Sequence, residues 1–286
     1  MIIYNNLKIL TIKPSGRSSD FISPSFATGC LLECSYCYMK RNTPKGVTLY
    51  NNVNDILLAI DKHSKKTKII KPNQTDEKYI TYDISCNEDF ALHLPHHDWY
   101  KIFTFFKQHP RAKATLATKI VPKKLLTFNP NNKIRIRFSL MPQLIANIVE
   151  PKSAKILDRI KAINDFIESG YDVHVNFSPV ILFNNWIKHY AELFMLLDIY
   201  VKEEYKHKVK CEVIFLTHNE AKHYYNLEKN IKGENLLWVP NLQETKVSQY
   251  GGTNIRYEVN IKRDAINEFI KVHNSLIAWN TIRYIF

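Results

Sequence analysis

The chain has 286 residues, 45% of them hydrophobic, and a formal net charge of +13. Apolar and aromatic residues run along its whole length, which excludes a disordered chain and predicts one large domain, or one domain with a small appendage. No apolar run approaches the roughly 18–20 residues of a membrane span. Asn5, Asn6 and Lys8 stand where a secretory leader would be apolar, so a cytoplasmic monomer with no membrane partner is expected.

The basic charge has two readings. Its field favours polyanions such as DNA. Alternatively it reflects a biased coding sequence, because Lys (31), Asn (26) and Ile (33) dominate while Arg contributes only 9 of the 40 basic residues. Seven glycines, none in a G-x-G-x-x-G or P-loop pattern, argue against a nucleotide loop of those kinds.

Residues 1–20 form an N-terminal segment, and residues 21–230 alternate strand with helix patterns. Strands are predicted over 25–28, 79–85, 112–118, 133–140, 172–179 and 210–216, and helices over 53–65, 98–109, 122–128, 153–169, 185–206 and 219–230. Such alternation predicts an α/β fold of parallel β/α units. Six units are too few for a closed eight-fold barrel and suit a partial (β/α)6 TIM-type barrel. In the fourth helix Ser153 is the expected cap, Ile156, Ile160, Ile163 and Ile167 form one apolar stripe, and Gly170 ends it.

Within 133–140, Ile134, Ile136 and Phe138 share one face and Arg135, Arg137 and Ser139 the other. In the next strand Val173, Val175 and Phe177 oppose His174, Asn176 and Ser178. The polar face means either an interior that holds a polar ligand or a solvated edge. Residues 231–286 read as an extension: a short apolar run over 236–240, a turn at Tyr250-Gly251-Gly252-Thr253-Asn254, a strand over 255–261 and a closing helix over 263–279.

Cys30, Cys34 and Cys37 form C-x3-C-x2-C. Three soft thiolates so close can hold an iron–sulfur cluster or zinc. A closed zinc site needs a fourth ligand, and no Cys or His lies within twenty residues of either end. A [4Fe–4S] cluster with one open iron needs only three. Buried thiols on one helix face are the remaining alternative, poorly served by Gly29, Ser35 and two tyrosines. Cys211, in mid-strand, is expected in the core.

The cysteine motif, with an aromatic before its last Cys, resembles that of the radical S-adenosylmethionine (SAM) enzymes. Thr28-Gly29-Cys30 and Cys34-Ser35-Tyr36-Cys37-Tyr38 narrow this to a resemblance to the spore photoproduct lyase family, as do Asp83-Ile84-Ser85-Cys86-Asn87, Ala117-Thr118-Lys119, Arg137-Phe138-Ser139, Glu150-Pro151, Ser169-Gly170-Tyr171, Ser178-Pro179-Val180 and Tyr250-Gly251 in order. The resemblance implies a lyase with a [4Fe–4S] cluster on Cys30, Cys34 and Cys37 and with SAM on its open iron. It implies an electron donor such as flavodoxin or ferredoxin, and 5-thyminyl-5,6-dihydrothymine in DNA as substrate. Cys86 would donate hydrogen, Tyr36 or Tyr38 would relay it, and Tyr36 would also meet adenine.

Lys119 and Ser139, at strand ends, suit the carboxylate and ribose or backbone of SAM. Tyr250, Arg256 and Tyr257 are the expected DNA contacts. His218 either faces the site or is structural. Two departures from the family pattern are Gln249 in place of Arg, and Asn87-Glu88-Asp89 in place of small hydroxyl residues. Another nucleic-acid, nucleotide or peptide substrate, and a non-catalytic nucleic-acid binder with a structural metal centre, are the competing functions.

Overall fold

The alternation of Ile134, Ile136 and Phe138 with Arg135, Arg137 and Ser139 builds one strand, Ile134–Leu140, whose seven residues are all buried. A computed structural model places it in an eight-stranded sheet and describes residues 2–37, 39, 46–67, 75–247 and 252–286. In chain order the strands and helices of the first part are β1 (Ile2–Asn5), β2 (Lys13–Pro14), β3 (Phe21–Ile22), β4 (Ala27–Thr28), β5 (Val47–Tyr50), α1 (Val53–Lys66), β6 (Ile80–Asp83), α2 (Trp99–Gln108), β7 (Ala112–Thr118) and β8 (Ile134–Leu140). There follow α3 (Gln143–Val149), α4 (Ile156–Glu168), β9 (Asp172–Val180), α5 (Trp186–Tyr200), α6 (Glu203–Lys206), β10 (Cys211–Phe215), β11 (Thr217–His218) and α7 (Glu220–Glu228). The chain closes with α8 (Glu234–Leu237), β12 (Gln243–Val247), β13 (Thr253–Tyr257), α9 (Val259–Ile277) and β14 (Ile282–Ile285).

The main sheet has the order β14-β10-β9-β8-β7-β6-β3-β2. The ladders β3–β6, β6–β7, β7–β8, β9–β10 and β10–β14 are parallel, and β2 runs antiparallel to β3. Helices follow strands as β/α units require, and the fold is the α/β partial barrel that the sequence predicts. Contacts divide the chain into two compact units, the first holding residues 1–31, 42–138 and 162–174, the second 32–41, 139–161 and 175–286.

In the first unit, β4 does not join the main sheet. It pairs antiparallel with β5, which pairs in parallel with β1, over a small core of Ala27, Val47 and Leu49. The strand leading to Cys30 thus belongs to a separate three-stranded sheet, and it is β3 that pairs in parallel with β6 in the main sheet. The polar face of β8 is neither wet nor solvated where it crosses this unit. Arg135 Nε lies 2.6 Å from Asp172 Oδ2, and Arg137 Nη2 lies 2.7 Å from Asp83 Oδ2. Each guanidinium is buried against a carboxylate of a neighbouring segment, which is how a charged side chain survives in an interior.

In the second unit, Phe177, Tyr190, Phe194 and Phe269 pack edge to face with ring centroids 5.3–6.4 Å apart. β14 extends the sheet beside β10, an element that the local pattern does not predict. Several boundaries move for identifiable reasons. The helix expected over 185–206 stops at Tyr200, because Val201 is extended (ψ 121°) and buried. The stretch expected as a helix over 122–128 is a 3-10 turn, Lys123–Thr127. The strand expected over 255–261 ends at Tyr257, because the Glu258 carboxylate accepts from the N–H groups of Asn260 and Ile261 and starts α9. Ser153 does not cap α4 either. Its hydroxyl donates to Glu150 O at 2.8 Å, and Gln143 Oε1 takes the Ile156 N–H at 2.7 Å instead.

Candidate active site

In the first unit the loops after β4, β6 and β7 are bonded to one another. Gly29 donates its N–H to Asn87 O at 2.9 Å. Asn87 Nδ2 donates to Ser25 Oγ at 2.6 Å. Cys30 therefore leaves the chain one residue from a direct bridge to the neighbour of Cys86. Asp83, at the end of β6, accepts the Ser85 N–H on Oδ1 at 2.9 Å, and Ser85 Oγ accepts the Ala117 N–H at 3.0 Å. Cys86 follows and is exposed. Beyond the end of β7, the Lys119 N–H donates to Asp89 Oδ2 at 2.9 Å, and the side chain is half-buried.

The acidic departure after Cys86 is turned inward. Asp89 is buried and accepts from Thr118 Oγ1 at 2.9 Å as well as from Lys119 N–H. Burial raises its carboxyl above the ordinary range against those donors. Glu88 Oε2 accepts from His93 Nδ1 at 3.0 Å and from His97 Nε2 at 2.7 Å. Burial opposes ionisation there, but the two imidazoles win and hold the Glu88 carboxyl below its usual value. Phe90 stacks on His97 at 4.4 Å. These carboxylates are thus occupied by their own unit.

The second unit holds the rest of the cysteine loop. Cys37 donates its N–H to Cys34 O at 3.0 Å, a tight turn rather than a helix face. Ser35 N–H donates to Val149 O at 2.8 Å. Ser35 Oγ donates to Lys232 O at 2.7 Å, and Asn226 Nδ2 donates to Ser35 O at 3.0 Å. Lys222 Nζ donates to Tyr36 O, and the Tyr36 hydroxyl donates to Glu150 Oε1. Glu150 is buried and ion-paired with Arg159 at 2.9 Å. Burial first, and then the Glu150 charge, push the Tyr36 phenol well above its ordinary pKa, so it remains protonated.

None of Cys30, Cys34 and Cys37 is in a disulfide. Cys34 is buried, and Cys30 and Cys37 are partly exposed. Three such thiols within eight residues are a donor set suited to a soft metal centre, and the turn at 34–37 replaces the buried-helix alternative. Cys211 is buried, as expected of a core residue, with its sulfur 3.7 Å from His273 Nε2. Ser139 is buried near the end of β8, and its carbonyl accepts from Arg159 Nη1 at 2.7 Å. Tyr38 and Tyr250 lie outside the described residues. Arg256 pairs across the hairpin with Glu244, Nη2 to Oε1 2.7 Å. Tyr257 does not face a ligand at all: it is 1% exposed and its hydroxyl accepts the Leu182 N–H at 2.8 Å. The alternation of Ile255 and Tyr257 against Asn254 and Arg256 is the signal for that.

Sequence reasoning overlooks Glu150 as the Tyr36 partner, and Lys222 and Asn226 as holders of the cysteine turn. The spacing of the last two, i and i+4 in α7, puts them on one helix face and was the available clue. His218 is buried and structural, with Nε2 2.9 Å from Glu234 Oε1.

This is a partial β/α barrel whose first loop carries three cysteines and whose next carries one exposed cysteine. A family model described as spore photoproduct lyase matches residues 2–285, and the chain belongs to that family. The spore photoproduct lyase of Bacillus subtilis (strain 168) is 27% identical over 212 residues, 72% of this chain and 59% of that protein. That of Clostridium acetobutylicum is 28% identical over 195 residues, 67% of this chain and 54% of that protein. The match thus spans little more than half the length of these relatives. A solved structure of a spore photoproduct lyase double mutant, with bound AdoMet and dinucleoside spore photoproduct, superposes with a TM-score of 0.89 at 18% identity, covering 100% of this chain and 82% of that one. At that identity it speaks for the fold.

Proposed function

We propose that the chain is a radical SAM lyase that repairs 5-thyminyl-5,6-dihydrothymine in DNA, with a [4Fe–4S] cluster on Cys30, Cys34 and Cys37. The observation that carries this reading is the Gly29–Asn87 hydrogen bond, 2.9 Å, which ties the entry of the three-cysteine loop to the loop of Cys86. Residues 21–230 would hold the cofactors, and residues 231–286 would face the DNA.

Cys30, Cys34 and Cys37 would hold the cluster, which when reduced would supply the electron for splitting SAM into methionine and a 5′-deoxyadenosyl radical, the species that would take hydrogen from C6 of the dihydrothymine. Lys119 would hold the SAM carboxylate by charge, and Ser139 would bond its ribose or backbone. After the methylene bridge breaks, one thymine is complete and the other carries a carbon radical. Cys86 is exposed and its S–H bond is weaker than most C–H bonds, so it gives the hydrogen that completes the methyl group. Its sulfur then recovers a hydrogen through Tyr36 or Tyr38, drawn from deoxyadenosine. Tyr36 is a protonated phenol bonded to Glu150. It would pass its O–H hydrogen to the sulfur as one atom and take one back from the methyl group of deoxyadenosine. Tyr250 and Arg256 would meet the DNA backbone, and a lesion swung out of the duplex would reach the site. A reducing cytoplasm and a flavodoxin- or ferredoxin-like donor complete the requirements. Among the described residues no helix is long and apolar enough to cross a membrane.

The test is anaerobic reconstitution followed by SAM cleavage on irradiated, spore-type DNA and on undamaged DNA. The expected result is a [4Fe–4S] complement of iron and SAM-dependent loss of the lesion. Deoxyadenosine release without lesion loss would move the substrate to another nucleic acid, nucleotide or peptide. One tight zinc without SAM cleavage would leave a nucleic-acid binder with a structural centre.

A further inference from the structure

We propose, on the reading that the loop of Cys34 and Cys37 holds the cluster, that α7 and Glu234 form a clamp that sets the backbone between these two cysteines. Asn226, Lys222 and Glu234 are then positioning residues of the site. The carbonyls of Ser35 and Tyr36 are taken by two side chains one turn apart on α7: Asn226 Nδ2 donates to Ser35 O at 3.0 Å and Lys222 Nζ donates to Tyr36 O. Ser35 Oγ reaches Lys232 O at 2.7 Å in the loop after the same helix. Asn226 and Lys222 are 1% and 6% exposed, so these bonds are made away from water, where a lost partner costs most.

The clamp has its own support. The second hydrogen of Asn226 Nδ2 goes to Glu234 Oε2. Glu234 Oε1 accepts from His218 Nε2 at 2.9 Å and from His223 Nδ1 at 2.6 Å. Trp238 stacks on the His223 ring, 4.1 Å between centroids and 14° from parallel. The Asn219 side chain caps α7 by accepting the Lys222 N–H at 2.9 Å. Each member is fixed by the next, so the amide of Asn226 has one orientation. Groups that orient metal-binding residues from outside the ligand shell commonly change metal affinity about 10–100-fold when removed.

The atoms of His218, His223 and Glu234 lie within 4.8 Å of one another, as metal ligands would. The geometry favours a clamp. One carboxylate oxygen is within hydrogen-bond distance of both imidazoles, the other accepts from Asn226, and among the described residues only three ligands are offered where a structural zinc takes four. Glu88, His93 and His97 make the same arrangement in the first unit, again with one carboxylate oxygen shared by two rings.

The clamp is tested by hydrogen exchange on the iron-free protein, comparing the native chain with Asn226→Ala, Lys222→Met and Lys222→Arg. The amides of Ser35 and Cys37 should exchange about fivefold faster in N226A and K222M, the equivalent of one lost hydrogen bond. Exchange in β10 and β14 should be unchanged, and K222R should stay close to the native rate. After reconstitution, a chelator should strip iron from N226A and K222M about 10-fold faster. If N226A loses protection everywhere, the K222M and K222R pair decides by the same criterion. Native-like exchange in the 34–37 segment of K222M and N226A would overturn the clamp. So would zinc held stoichiometrically by the purified native protein and lost in H223A. Failure of the native protein to take up iron or cleave SAM would instead remove the cluster reading, since the exchange experiment needs neither.

Discussion

Arg159 places Nη2 2.9 Å from Oε2 of Glu150, and neither side chain has any solvent exposure. The guanidinium also donates to Ser139 O at 2.7 Å and to Ala154 O at 2.7 Å. The other Glu150 oxygen accepts the Tyr36 hydroxyl. One buried pair thus fixes the end of β8, the start of α4 and the phenol beside Cys37. Removing one partner of such a pair strands the other charge in the interior and costs about 3–5 kcal/mol. Arg159→Met should lower unfolding free energy by about that amount in urea titrations, with Arg159→Lys between it and the native chain. A loss under about 1 kcal/mol would mean that water reaches Glu150.

The cysteines should differ in reactivity. Cys86 is exposed, and Cys211 is buried. Burial and then the neighbouring Glu212 charge push the Cys211 thiol well above its ordinary pKa. Thiolate is the reacting form, so a small alkylating agent should label Cys86 in the folded, iron-free protein and Cys211 only on unfolding. Peptide mass mapping reads the order, and early labelling of Cys211 would contradict the packing. In the repair assay, Cys86→Ala should keep deoxyadenosine formation but yield abortive products. Normal thymine recovery would take Cys86 out of the chemistry.

Gly170 ends α4 at φ +87°, and a Cβ built there would sit 2.3 Å from Asn129 Oδ1. That oxygen accepts the Asn131 N–H at 2.8 Å, so it cannot move away without loss. Gly170→Ala should cost about 1–2 kcal/mol from the left-handed backbone alone, and more from the contact. Adding Asn129→Ala should relieve the contact and leave the backbone cost. Thermal unfolding of both variants separates the two. A double variant no more stable than the single one would show that the contact is harmless.

Much of the frame was legible because it is local. Ala112–Thr118 is found at the predicted bounds, and of the predicted stripe of α4 Ile156, Ile160 and Ile163 are buried while Ile167 is half-buried. The features that were not legible depend on partners far along the chain. β14 is four residues long and exists because Cys211, Glu212 and Val213 offer it an edge. Gln143 rather than Ser153 serves Ile156, although Ser153 is nearer in sequence. The cysteine motif announces itself by spacing. Asn226 and Lys222 do not, because their meeting with Ser35 and Tyr36 crosses 191 and 186 residues. Glu88 and Asp89 look like charges placed against a polyanion, and only the fold reveals that their own neighbours use them.

Asp172 Oδ2 lies 2.6 Å from Lys113 Nζ and 2.6 Å from Arg135 Nε, with His174 Nε2 3.3 Å from Oδ1. Burial works against the charged carboxylate, but His174, Arg135 and Lys113 together hold its pKa well below the usual value of 3.8. The native state therefore binds this proton less readily than the unfolded chain does. The stability it contributes is complete above the unfolded value and drains away as pH falls through the lower folded one. Asp76, also lowered by Lys113, titrates in the same direction. Urea titrations should show little contribution from this cluster to any change between pH 7 and about pH 5, and a steep loss below about pH 4. Asp172→Asn should be less stable at neutral pH, because Lys113 and Arg135 lose a counter-charge, and its acid limb should be shallower. An acid limb as steep as that of the native chain would assign the loss to other carboxylates.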